Sequence, residues 1–253
     1  MQEHTVSVKG IEVNYKVFGA GKPMLILHGW PSSSEKWVAV GELLSSHGIK
    51  VIVPDLPGFG KSQEPLQAWN TDGYIEWVRE FCDKVEDLKN EFYLAGHSFG
   101  GSLAAKFAVK YNQRVKILFL ISAACIREST FSKKLYYKIS KIIKLFSFLP
   151  YYDFFRKACY KFIIKKSDYP YVKGIMKETY LKVVSEDLSH RLLFIKNPTV
   201  IIWGDKDDST PIADAHFINS KIKDSKLIVL PDRKHSLQLE APELLVRSII
   251  ENI

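Results

Sequence analysis

No apolar run in the chain approaches the ~18 residues that a membrane-spanning helix requires. The three cysteines, Cys82, Cys125 and Cys159, are odd in number and far apart. They support neither a disulfide framework nor a Cys-x-x-Cys metal site. The opening residues MQEHTVSVKG hold no basic segment followed by an apolar one. No secretory leader is therefore expected, and a reducing, cytoplasmic compartment is the corresponding expectation. Glycine and proline number only 14 and 11 of 253 residues, too few for a collagen-like or low-complexity chain. HExxH, Cys/His clusters and dinucleotide fingerprints are all missing, so neither a metal nor an organic cofactor is expected. What is present is 46% apolar and 25% charged residues, too apolar for disorder. The length fits one large domain or a domain carrying an insertion.

The net charge of +8 is unevenly placed. Residues 126–195 hold fifteen of the 36 Lys and Arg but only six of the 28 Asp and Glu, leaving 21 basic against 22 acidic residues elsewhere. The same segment holds fifteen of the 32 aromatics. A basic balance confined to one internal segment, rich in Lys and without a reading motif, points away from nucleic acid. Gly60-Lys61-Ser62 copies the tail of a phosphate-binding loop, but the leading glycine of that pattern would fall on Asp55. Nucleotide binding is not expected.

Three zones follow one another. The first, 1–125, opens with alternating Val6, Val8, Ile11, Val13, Tyr15 and Val17 around Lys9-Gly10, the pattern of an antiparallel hairpin. Short apolar runs then alternate with helical patterns: Met24–Leu27, Val51–Val53, Phe92–Ala95 and Val115–Ile121. Continuous apolar runs separated by helices predict parallel strands buried on both faces. The third zone, 196–253, resumes this rhythm with strands at Thr199–Trp203 and Lys226–Leu230 and helices at Pro211–Ser220 and Pro242–Ile253. The middle zone, 126–195, has no strand-like run and reads as helices broken near Pro150 and Pro170. The expectation is an α/β fold: an eight-stranded, mostly parallel sheet flanked by helices, with core 1–125 and 196–253 and a helical lid inserted at 126–195.

Gly96-His97-Ser98-Phe99-Gly100-Gly101 directly follows the strand Phe92–Ala95 and precedes a helical run, Ser102–Tyr111. A sharp strand-to-helix turn needs minimal side chains two positions either side of the serine, and it projects that serine from the end of the sheet. A serine hydroxyl needs a base within reach. Of the seven histidines, His235 lies just past a strand's carboxyl end, where α/β folds place ligands. His4 and His47 lie away from such ends, His190 is in the lid, His216 is in a helix, and His28 and His97 read as loop braces. Asp205, Asp207 and Asp208 all follow the strand ending at Trp203 and are the candidates for an orienting acid.

These motifs resemble the α/β-hydrolase superfamily, in particular its lid-bearing, single-domain branch of esterases, lipases, peptidases and carbon–carbon bond hydrolases. His28-Gly29-Trp30-Pro31 is similar to the family's oxyanion loop, and Asp55-Leu56-Pro57-Gly58-Phe59-Gly60-Lys61-Ser62 to its D-x-x-G-x-G-x-S turn. Gly204-Asp205-Lys206-Asp207 with Pro211 resembles the acid loop, and His235 before Glu240-Ala241-Pro242-Glu243 the histidine loop. The resemblance implies Ser98 as nucleophile, His235 as base and Asp207 as acid, with Asp208 the rival. It implies an oxyanion hole from the backbone N–H groups of Trp30 and Phe99. The loop His28, Gly29 and Trp30 is expected to contact substrate, with Gly29 letting the backbone turn its N–H groups inward. A serine at position 98 argues against dehalogenase or epoxide hydrolase chemistry. The implied activity is cleavage of a small or medium apolar ester through an acyl-enzyme. Aminopeptidase or carbon–carbon bond cleavage would use the same residues, and a non-catalytic binder is the reading of a different class. The lid's lysines are expected to form a solvated face, with weak contact to anionic membranes as the competing use.

Overall fold

The computed structural model describes residues 1–127 and 173–253. Strands β1 (Gln2–Val8) and β2 (Ile11–Phe18) form an antiparallel hairpin. Its turn is Lys9-Gly10, with φ of 55° and 74°. A two-residue turn with both residues left-handed matches the right-handed twist of the strands it joins. The chain continues through β3 (Lys22–Leu27), α1 (Val38–Ser45), β4 (Ile49–Pro54), α2 (Thr71–Lys84), β5 (Phe92–His97), α3 (Phe99–Lys110) and β6 (Val115–Ile121). The remaining described elements are α4 (Gly174–Ser185), β7 (Thr199–Gly204), α5 (Ile212–Lys221), β8 (Ser225–Leu230), the short α6 (Leu237–Glu240) and α7 (Pro242–Ile250).

All eight strands join one sheet in the order β1-β2-β4-β3-β5-β6-β7-β8. The pairs β1/β2 and β2/β4 are antiparallel, and every later pair is parallel. Successive side chains of a strand point to opposite faces, and the core divides accordingly. On β3, Leu25 and Leu27 join Trp77, Phe81, Leu103 and Phe107 on one face. Met24 and Ile26 join Trp37, Leu44, Phe119 and Ile249 on the other. Burial on both faces is why these strands read as unbroken apolar runs rather than alternating ones.

Two helix starts differ from the sequence expectation. Helix α3 begins at Phe99, three residues before Ser102. It starts directly from the turn residue, so Gly100 and Gly101 lie in the helix rather than in a connecting loop. Pro242 occupies a first-turn position of α7, where its missing N–H costs nothing, but Pro211 sits one residue ahead of α5 as its N-cap.

Within 126–195 the described part comprises α4 and a 3₁₀ turn, Ser189–Phe194, with no strand among the described residues. The breaks at Pro150 and Pro170, the large apolar residues Phe146, Phe148, Leu149, Tyr151, Tyr152, Phe154 and Phe155, and Lys133, Lys134, Lys138 and Lys141 lie outside the described residues. The two flanks of this segment are tied together. Leu188 N–H donates to Cys125 O at 2.9 Å, and Arg127 N–H donates to Asp187 Oδ1 at 3.0 Å. Strands β6 and β7 pair directly across the interruption. Among the described residues no helix is long and apolar enough to cross a membrane.

Candidate active site

Ser98 stands alone between the end of β5 and the start of α3, at φ 53° and ψ −117°. An L residue held there costs about 1–3 kcal/mol and persists only where its surroundings impose it. Three backbone bonds do so. Ser98 N–H donates to Ile121 O at 3.0 Å, and Ser98 O accepts from Ala124 N at 2.9 Å and Ser102 N at 3.2 Å. The strand and helix cross in contact at this point. A Cβ on Gly100 would lie 2.1 Å from Leu27 O, and one on Gly96 would lie 2.3 Å from Gly100 O. Glycine at both positions is therefore a steric requirement of the turn.

Asp207 lies in the loop after β7. The loop is pinned by Trp203, whose buried indole Nε1–H donates to Thr210 O at 2.8 Å. Asp207 Oδ1 accepts from the backbone N–H groups of Ser209 and Thr210 at 2.8 and 2.9 Å. Its Oδ2 accepts from Thr210 Oγ1 and from His235 Nδ1, each at 2.8 Å. Burial works to raise this carboxyl, but the His235 and Thr210 bonds outweigh it and hold Asp207 below the ordinary carboxylate value. Asp207 is 6% exposed, whereas Asp208 points to the exposed side of the loop. Of the two carboxylates, the fold brings Asp207 to His235.

The His235 loop follows β8. Glu240 receives the N–H groups of Lys234 and Ser236 at 2.8 and 3.1 Å, bracketing the histidine. His97 Nε2 donates to His235 O at 2.9 Å. Because Nδ1–H of His235 is used on Asp207, the hydrogen-bond pattern assigns the lone pair to Nε2. Ser98 and His235 both line one cavity of about 220 Å³, together with Trp30, Phe99, Arg127 and Tyr180 among others. The direct Ser98–His235 hydrogen bond is not formed among the described residues; such bonds commonly tighten only with substrate present.

Trp30 packs edge-on against Phe59 and Phe99, with ring centroids at 4.6 and 5.7 Å. The backbone N–H groups of Trp30 and Phe99 have no hydrogen-bond partner among the described residues. His28 and Gly29, expected to contact substrate, are not among the residues lining the cavity. His28 is fully buried, its Nδ1–H donating to Gly29 O at 2.8 Å and its Nε2 accepting from Leu56 N at 3.0 Å. Burial lowers its pKa to about 4, which keeps the ring neutral as that pattern requires. Gly29 does not adopt positive φ. Its glycine is explained by proximity instead, since a Cβ there would lie 3.2 Å from Ser98 Cβ and 3.0 Å from His97 Nδ1.

A sequence model described as the alpha/beta hydrolase fold matches residues 22–167, more than half of the chain. The chain belongs to the α/β-hydrolase fold family. Lipase 1 of Psychrobacter immobilis is 26% identical over 243 residues, covering 88% of this chain and 74% of that one. A proline iminopeptidase of Saccharolobus solfataricus is also 26% identical, over 292 residues, covering 100% and 92%. The crystal structure of a bacterial membrane phospholipase A superposes with a TM-score of 0.76 at 23% identity, covering 99% of this chain and 84% of that one.

Within this α/β-hydrolase, the D-x-x-G-x-G-x-S turn acts as a brace. Asp55 accepts from Ser34 N at 2.6 Å and from Asn14 Nδ2 and Lys61 N, each at 3.0 Å. That ties β2 and the turn itself to the segment following Trp30. Thr210, Tyr180 and Arg127 were not legible as site residues. Thr210 has a local signal, a hydroxyl residue three positions after an acid, which suits side-chain-to-backbone capping. Arg127 has a weaker one, as a charge ending the stretch Ser122-Ala123-Ala124-Cys125-Ile126. Tyr180 has none, because only packing brings α4 over the site.

Proposed function

We propose that this α/β-hydrolase is a serine hydrolase that cleaves a carboxylic ester through an acyl-enzyme, with residues 126–195 forming a lid over the site. The observation that carries the reading is the strained Ser98 in one cavity with a histidine whose Nδ1–H is already committed to a buried carboxylate. In this reading Ser98 Oγ attacks the ester carbonyl and passes its proton to His235 Nε2. Asp207 holds the imidazole in the required tautomer and stabilises the imidazolium. The unpartnered N–H groups of Trp30 and Phe99 receive the developing oxyanion. Collapse expels the alcohol, which takes the proton from His235, and water then releases the acid by the same route. The likeness to Lipase 1 supports an ester substrate.

The likeness to a proline iminopeptidase favours a second reading, release of an N-terminal residue on the same groups. Labelling with a fluorophosphonate tests the shared mechanism. Ser98 should be modified in the parent, and Ser98→Ala should lose labelling and about 10⁴-fold or more in turnover. Equal turnover by parent and variant would remove Ser98 from the chemistry. Parallel assays on acyl esters and on prolyl anilides separate the two readings.

A further inference from the structure

The lining of the Ser98 cavity is not uniformly apolar. Trp30, Phe99, Val183 and Val184 are accompanied by the guanidinium-bearing Arg127, and no Asp or Glu lines the cavity among the described residues. Arg127 leaves the sheet just beyond the carboxyl end of β6, where α/β folds gather their ligand contacts. Its backbone is fixed by the bond to Asp187. Asp187 is itself occupied: Oδ2 accepts from Ser189 Oγ at 2.5 Å, and Oδ1 accepts from Arg127 N and Ser189 N.

The Arg127 guanidinium makes no ion pair with Asp187. Its Nε is buried without a hydrogen bond, and it forms no ion pair among the described residues. Burial is the main influence on this group and pushes its pKa below the usual arginine value, with Cys125, Tyr180, Asp187 and Asp214 acting in the opposite direction. A second buried donor, Nε1 of the lining residue Trp30, is also without a partner among the described residues. An unpaired buried donor costs about 1–3 kcal/mol, more when charged. Two of them, one cationic, meet no carboxylate in the lining among the described residues.

Resting on the serine-hydrolase reading, we propose that Arg127 binds an oxyanion carried by the substrate, so that the preferred substrate is an ester bearing a carboxylate or phosphate close to the scissile carbonyl. The arginine fork suits either group, because both present two oxygens to parallel N–H donors. The apolar lining takes the acyl chain while Arg127 and Trp30 Nε1 take the anion. Reaction balance is that of ester hydrolysis, and the anionic group is retained unchanged in one product.

The test compares matched esters on the intact protein. One is the p-nitrophenyl monoester of glutaric acid, with a free carboxylate; its partner is the same compound as the neutral methyl ester. A phosphate arm pairs an acyl glycerol phosphate with the corresponding acyl glycerol. The parent should favour at least one anionic member by about 10–100-fold in kcat/KM, the range expected of a charge-assisted hydrogen bond. Whichever pair shows the preference identifies carboxylate or phosphate. In Arg127→Met the anionic-to-neutral ratio should fall toward one, and Arg127→Lys should restore only part of it. A parent ratio at or below one in both pairs overturns the proposal, whether or not the variants fold. An unchanged ratio in folded Arg127→Met overturns it too. Fluorophosphonate labelling of the parent separates the two levels: a labelled enzyme without anion preference refutes only Arg127, whereas an unlabelled Ser98 refutes the hydrolase reading beneath it.

Discussion

Asp207 receives four hydrogen bonds and Asp208, one residue on, lies exposed. In an extended loop adjacent side chains diverge, so only one of the pair can face His235. Asp207→Asn should cut turnover by about 10³–10⁴-fold, because an amide in that position favours the wrong histidine tautomer. Asp208→Asn should stay within about threefold of the parent. Steady-state kinetics of the two variants decide it, and the reverse ranking would transfer the role to Asp208. The backbone at Ser98 makes a separate prediction. A β-carbon at φ 53° is strained, so Ser98→Gly should be more stable than Ser98→Ala. The expected difference is about 1 kcal/mol once glycine's larger unfolded-state entropy is counted. This reverses the ordinary order of the two residues, and thermal melts of the two inactive variants would reveal it.

At the scale of elements, the turn at Ser98 is held by β5, α3 and β6 together, and α3 carries a second connection. Lys106, 3% exposed, sits on its inner face. Its Nζ donates to Thr71 Oγ1 and Glu186 Oε1, each at 2.6 Å, and pairs with Asp72 at 2.8 Å. The start of α2 and the stretch following α4 are thereby fastened to the helix that begins directly after Ser98. Lys106→Met removes all three bonds while keeping most of the buried stem. The expected loss is about 2 kcal/mol, or roughly 4–8 °C in Tm for a chain of this size. An unchanged Tm would mean that this network adds nothing beyond the packing around it. The direct pairing of β6 with β7 and the bonds joining Cys125 to Leu188 and Arg127 to Asp187 let residues 126–195 leave and rejoin the core at one place. That arrangement supports the lid reading, since no strand of the sheet depends on the described part of the segment.

Across the whole molecule, two buried imidazoles should make stability depend on pH in mild acid. Burial is the leading cause in both: it lowers His28 to about 4 and His97 to about 3. An unfolded histidine titrates near ~6.5. Below that pH the unfolded chain binds protons that the folded chain refuses, so stability should fall as pH drops from ~6.5 toward 4. Asp207, held below its ordinary value, adds a loss in the same direction at still lower pH, as the carboxylate is protonated. Melting curves across pH 4–7 should show the decline in the parent and a shallower one in His28→Gln. A parent profile that is level over this range would contradict the buried, neutral assignment.

The apolar rhythm of β3, β4, β5 and β7 was legible because strands buried on both faces must be apolar at every position, a demand local enough to survive in the sequence. The hairpin at Lys9-Gly10 and the turn at Ser98 were legible for the same reason, since each rests on the backbone limits of a few adjacent residues. The residues alone left Asp207 and Asp208 both open and only the spacing of the resemblance preferred Asp207, because which carboxylate faces the histidine depends on how one loop turns after β7 and on the bond that His235 supplies from elsewhere in the chain. The bracing role of His28 was legible from its place beside a turn, but its absence from the cavity lining was not, nor was the placement of Gly29 against Ser98, which needs β3 and β5 to lie side by side. Arg127 and Tyr180 reach the cavity only because β6, α4 and the α3 turn converge at one end of the sheet. Local sterics and burial are written residue by residue, whereas the charge and shape of the cavity come from groups far apart in the chain, and those only packing brings together.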